Sequence, residues 1–157
     1  MDPAELQKLR ESSGLRLDRE GRFWHHSGEI THPRTLAVLH RGIHRAPDGR
    51  WATRIGKEWG YLQVDDVALF VRRIEGPRAQ LASGEWVELD PSTLAAGVDD
   101  ALYVRVGGER ARLTRAAQLS LGDHLHEERG AYFVELKGKR YAVGRDEGPE
   151  PRRARDK

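Results

Sequence analysis

From Leu15 to Val143 the chain keeps returning to one short-range pattern, in which apolar and polar residues alternate for a few positions and then break at a turn. "LRLDREGRFWHH" alternates around Asp-Arg-Glu-Gly, with a second turn at Ser27-Gly28; "RWATRIGKEWGYLQV" does so around Gly56 to Gly60, and "YFVELKGKRYAV" around Lys137-Gly138. Alternation buries one face of a strand, and glycine-bearing breaks close hairpins. Two segments depart from it. "THPRTLAVLHRGI" places Leu36, Leu39 and Ile43 three and four apart behind a capping Thr31 or His32 and Pro33, and a second helix begins at Thr114. Pro47-Asp48-Gly49 and Arg129-Gly130 are expected to stop these helices. Hairpins with two internal helices specify an α+β, strand-rich fold in which each helix packs on antiparallel sheet.

The same order of elements occurs twice. Placing Glu29 on Glu109 and Tyr61 on Tyr141 gives an offset of 80 residues both times, and Gly49 and Trp51 fall on Gly130 and Tyr132 after a one-residue shift. This predicts an internally duplicated protein of strand-turn-helix-hairpin repeats: an N-terminal helix over 1–14, a first half over 15–74, a second over 75–145 and a disordered tail over 146–157. Between the copies, "ALFVRRIE" and "QLASGEWVELD" read as strands, the latter turning at Ser83-Gly84. In the N-terminal helix Asp2 caps, Pro3 takes the first position, Glu5 completes a capping-box spacing, and Leu6 with Leu9 forms a narrow apolar stripe.

Cysteine is absent, which removes disulfides, thiolate metal sites and cysteine nucleophiles and makes the cytoplasm the expected location. The start, "MDPAELQKLRESSG", has no long apolar run after its basic residues and reads as neither a signal peptide nor a membrane span, and no membrane partner is expected. The 27 basic and 25 acidic residues leave a net charge of +2, too little excess to argue for duplex nucleic acid.

"DREGRFWHHSGEITHPRTLAVLHRGIHRAPDGRWATRIGKEWGYLQVDDVALFV" resembles the amino-terminal half of the bacterial domain-of-unknown-function family 1285. An Asp-Gly turn, a Trp strand, a Gly-x-Ile-x-x-Pro helix start, a second Asp-Gly before an aromatic strand, and an acidic pair before a Phe strand occur there in that order. "GGERARLTRAAQLSLGDHL" is similar to the family's second helix region, and the resemblance spans residues 15–143. It implies a duplicated core, a carboxy-terminal half like pleckstrin-homology folds, a nucleotide-like ligand between the halves, and a role in signal transduction. Two departures touch the pocket: Arg54 stands where the family has proline, and the acidic run survives loosely as Asp65, Asp66 and Phe70.

Five of the seven histidines lie between Phe23 and His44, which raises a metal site. Adjacent strand positions send His25 and His26 to opposite faces, no glutamate completes an HExxH pattern, and His124 and His126 lack the Asp-His continuation of two-metal hydrolases. Ser27, Ser83 and Ser120 lack a Gly-x-Ser-x-Gly elbow. The pairs Asp65-Asp66 and Asp99-Asp100 read as turn or capping residues.

An anion site has better support, because free amides and the helix dipole at a helix start attract phosphate. Each helix carries an arginine in its first turn, Arg34 and, after Thr114, Arg115; Arg54, Lys57 and Arg112 add charge. Trp24, Trp51 and Trp59 offer faces for a base, with Trp51 the best core candidate and Trp59, taken to lie in a turn, the least suited to the core. The leading expectation is a non-enzymatic sensor or adaptor for a nucleotide-like or other anionic small molecule, with no cofactor and room for a protein partner. The alternatives are a single-stranded nucleic-acid or protein-interaction module, and a histidine-based metal hydrolase.

Overall fold

The computed structural model describes residues 2–146 and 148. The fold is α+β, and the chain divides into two compact units, Met1–Ala68 with Ala82–Glu85, and Leu69–Leu81 with Trp86–Lys157.

The first unit runs α1 (Pro3–Glu11), β1 (Leu15–Leu17), β2 (Phe23–His25), β3 (Gly28–Glu29), α2 (Pro33–Arg41), β4 (His44–Arg45), β5 (Trp51–Ile55) and β6 (Glu58–Val64). Its strands form one sheet in the order β3-β2-β1-β6-β5-β4. β1 pairs antiparallel with β2 and parallel with β6, so that Leu17 lies beside both Phe23 and Val64. α2 packs against β5, where the buried Thr53 hydroxyl donates to the Leu39 carbonyl at 2.7 Å. Leu15, Leu17, Phe23, Leu39, Ala52 and Leu62 are buried here.

Asp2 caps α1 as expected, accepting from the Glu5 amide at 2.8 Å. The apolar stripe of that helix is not buried: no α1 residue is, and Leu9 is 56% exposed. Polar side chains hold the helix instead. The turn expected at Ser27-Gly28 sits one residue earlier, because His26 itself adopts the left-handed conformation at φ +55° and Gly28 becomes a strand residue.

The second unit contains β7 (Leu69–Glu75), β8 (Arg78–Leu81), β9 (Trp86–Glu88), β10 (Ala95–Ala96), β11 (Leu102–Val106), β12 (Glu109–Leu113), α3 (Arg115–Gly122), β13 (Leu125–Glu128), β14 (Ala131–Leu136), β15 (Lys139–Ala142) and β16 (Gly144–Arg145). Single 3-10 turns flank β10. Seven strands form a sheet in the order β16-β10-β11-β12-β7-β8-β9, and β13-β14-β15 form a second sheet. Val71, Leu94, Val104, Leu113, Leu121 and Val134 belong to one buried cluster.

Neither expected helix stop does that work. α2 ends at Gly42, and the Pro47–Gly49 stretch turns the chain from β4 into β5. Likewise α3 ends at Asp123, and Arg129-Gly130 joins β13 to β14. In both places a short polar strand stands between helix and turn.

Hairpin, helix and three-stranded meander follow in the same order in the two units, β2–β3, α2, β4–β6 and β11–β12, α3, β13–β15. The pairing differs. β1 joins hairpin and meander into one sheet in the first unit, whereas in the second β12 pairs parallel with β7 and the meander stays separate. The expected tail lies outside the described residues apart from Asp146 and Gly148. No described helix is long and apolar enough to cross a membrane.

Candidate functional site

The start of α2 differs from those of the other two α-helices. Asp2 and Thr114 each accept a hydrogen bond from a first-turn amide of α1 and α3, while His32, the N-cap of α2, makes no side-chain bond. Pro33 has no N–H, and the Leu36 amide already reaches the His32 carbonyl at 3.0 Å. Among the described residues the amides of Arg34 and Thr35 are therefore the open donors, with no acidic residue in the first turn and Arg34 exposed beside them.

The other anticipated residues are distributed between the units. Arg54 lies opposite Trp59 across β5 and β6, and its amide donates to the Gly42 carbonyl at 3.2 Å, at the far end of α2 from Arg34. Lys57 is exposed in the β5–β6 turn. In the second unit Arg112 is half-buried in β12 between Tyr103 and Phe70, the Thr114 hydroxyl is engaged by the Ala117 amide at 3.2 Å, and Arg115 is exposed.

Trp59 is not in a turn. It is a half-buried residue of β6, 5.2 Å from the Tyr61 ring, with the Arg10 guanidinium 3.9 Å above its own ring. Arginines also lie over Trp24, Trp51 and Trp86, at 5.5, 3.8 and 5.1 Å. One face of every tryptophan is thus taken by a guanidinium.

The histidines separate into individual packing roles. His40 meets the Phe23 ring edge-on at 4.7 Å, His44 lies 2.7 Å from the Gly42 carbonyl, and His126 stacks on Phe133 at 5.2 Å. His25 and His26 do not point to opposite faces, because the left-handed turn at His26 brings the rings to 4.4 Å. Among the described residues no group of three His, Asp or Glu side chains is placed to hold a metal ion.

Comparison with protein-family models and with curated proteins gives no match. Solved structures do match. A DUF1285 family protein from Silicibacter pomeroyi DSS-3 superimposes with a TM-score of 0.63 at 17% identity, over 86% of this chain and 81% of that one. A second, from Shewanella baltica OS155, gives 0.52 at 17% identity, over 71% of this chain and 91% of its own. The fold is that of the DUF1285 family.

On this DUF1285 fold, a polar network holds α1 against β6, and nothing local in the sequence announced it. The Asp48 carboxylate accepts from the Arg50 amide at 3.0 Å, the Arg50 Nε at 2.8 Å and the Tyr61 hydroxyl at 2.8 Å. Gln7 donates to Tyr61 and Glu11, and Arg50 also reaches Glu11 at 3.2 Å. These bonds, the Arg50 amide foremost, hold the Asp48 carboxyl at about 2 against an ordinary 3.8.

A depressed carboxylate adds stability above its unfolded value and loses it as pH falls through its folded one. Asp48→Asn is therefore expected to be less stable than the parent above about pH 4, with the gap closing towards pH 2. Urea unfolding of both proteins across that range measures it; a gap independent of pH would show that the carboxylate charge does not hold α1.

Proposed function

We propose that this chain is a non-enzymatic binding protein for a phosphate-bearing small molecule of nucleotide-like class. The observation that carries the reading is the open start of α2, where among the described residues two unpaired amides stand beside the exposed Arg34 and the first turn holds no acidic residue. Oriented amides and a guanidinium are the groups that bind phosphate oxygens well. In the other unit, Arg115 at the α3 start offers a weaker anion site of its own, because Thr114 already occupies one amide there. The family resemblance supports the wider form, in which binding is reported to a protein partner. Stacking of single-stranded bases is the poorer reading, since an arginine already covers one face of each tryptophan.

Thermal shift with ATP, ADP and pyrophosphate tests this. A ligand at a hundred times its Kd stabilises by about 2.7 kcal/mol, enough to raise the melting temperature visibly. Arg34→Ala should remove most of the rise, Arg115→Ala less, and the pair all of it, with the nucleotide recovered unchanged after incubation. An equal rise in the double variant, or none with any of the three compounds, refutes the reading.

A further inference from the structure

A cleft of about 250 Å³ opens in the second unit, lined by Ile74, Gly76, Ser120, Leu121, His124, Leu136 and Lys137. Three elements meet there: the end of α3 with the residues following it, the β7–β8 turn, and the β14–β15 turn. Ile74, Leu121 and Leu136 supply apolar walls, and all three belong to the packed interior of this unit or lie against it. The walls are therefore fixed by the core.

The polar side chains are three, those of Lys137, His124 and Ser120. Lys137 occupies the first position of the two-residue Lys137-Gly138 turn, with φ +50° followed by +76°, the form that a tight hairpin demands. From there its side chain lies over the β7–β8 turn, Cε within 3.5 Å and Nζ within 3.8 Å of where a β-carbon on Gly76 would stand. Among the described residues neither the Lys137 ammonium nor the His124 ring has a hydrogen-bond or ion-pair partner. Ser120 donates its hydroxyl proton to the Ala117 carbonyl at 3.0 Å, which leaves its oxygen lone pairs free. Among the described residues no carboxylate lines the cleft.

We propose that this cleft is a ligand site for a small monocarboxylate with an apolar aryl or branched-alkyl body. The body would lie against Ile74, Leu121 and Leu136, and the carboxylate would accept from the Lys137 ammonium and the His124 ring. Its volume is below the roughly 300–1,000 Å³ typical of drug-sized ligands, which selects a fragment of single-ring size. One ammonium matches one negative charge, so a carboxylate fits better than a phosphate dianion. The proposal is independent of the phosphate site at α2, because it concerns other residues, another unit and another anion.

The test is an NMR titration of the full ¹⁵N-labelled chain with 3-phenylpropionate, using the neutral 3-phenylpropanamide as comparator. Saturable shifts are expected at amides of residues 74–77, 119–125 and 135–138, with a Kd on the order of 1 mM and the amide about tenfold weaker. Lys137→Met keeps the stem and removes the charge; it should bring the carboxylate down to the level of the amide and leave amide binding unchanged. Ser120→Met fills the cleft and should abolish both. The proposal is overturned if the shifts do not saturate, if they fall elsewhere, if amide and acid bind alike, or if Lys137→Met binds the acid as the parent does.

Discussion

Phe23→Ala is expected to destabilise the protein by about 3–5 kcal/mol, the cost of removing a buried phenyl ring and leaving a cavity. Phe23 is fully buried and lies beside Leu17, which is also fully buried. Its ring also supports His40 from the edge at 4.7 Å, so its loss loosens the α2 side of the first unit as well as the sheet. That unit has a small core in which Phe23 is the largest fully buried side chain, and little else can collapse into the space. Against a typical stability of about 5–15 kcal/mol, the loss is a large fraction. Phe23→Leu refills most of the volume and should cost about 1 kcal/mol. Urea unfolding gives both values, and hydrogen exchange at Leu17 and Leu62 locates the effect. A cost for Phe23→Ala near that of Phe23→Leu would mean that the ring is not a central packing element.

Local signals in the sequence were enough for the class of fold and most turns. Asp2, Pro33 and Thr114 mark the three helix starts because capping is decided by residues one to three positions apart. The helix ends are not legible, for an equally local reason. "HR" of β4 and "LHEE" of β13 carry no apolar alternation, so each strand is invisible beside the stronger Gly-bearing turn that follows it. His26 takes a left-handed conformation that glycine adopts most easily, which composition does not reveal. The parallel pairings β1–β6 and β12–β7 connect segments more than forty residues apart and leave no periodic trace.

The candidate sites divide in the same way. Arg34 beside the α2 start is legible because one short segment makes that site, although the cap expected from Thr31 or His32 is not made: His32 is the N-cap and its side chain does not bond. The Asp48, Arg50 and Tyr61 network and the cleft around Lys137 join residues brought together only by the folded sheets. Position in the alternating pattern does not decide which tryptophan face is available; which arginine reaches each ring does.

The C-terminal edge of the large sheet carries the second large effect. Asp146 receives Arg110 in a two-pronged pair, Nε to Oδ1 at 3.1 Å and Nη2 to Oδ2 at 2.7 Å, with the side chains 10% and 13% exposed. The guanidinium lies 4.6 Å from the Tyr103 ring, and Gly97 leaves room for that ring, since a β-carbon there would stand 2.6 Å from it. The Asp146 amide donates to Ala96 and the Gly144 amide to Leu94, so the pair fastens β16 along β10. Removing one member strands the other charge in a mostly dry site, which costs about 3–5 kcal/mol where burial is complete. Arg110 has further interactions, so Asp146→Ala should fall at the lower end, about 3 kcal/mol. Replacing both, Arg110→Met with Asp146→Leu, removes the stranded charge and should cost about 1 kcal/mol or less. Urea unfolding of the single and double variants separates the cases. If the double variant is as damaged as Asp146→Ala, the loss comes from detaching the strand and not from an uncompensated guanidinium.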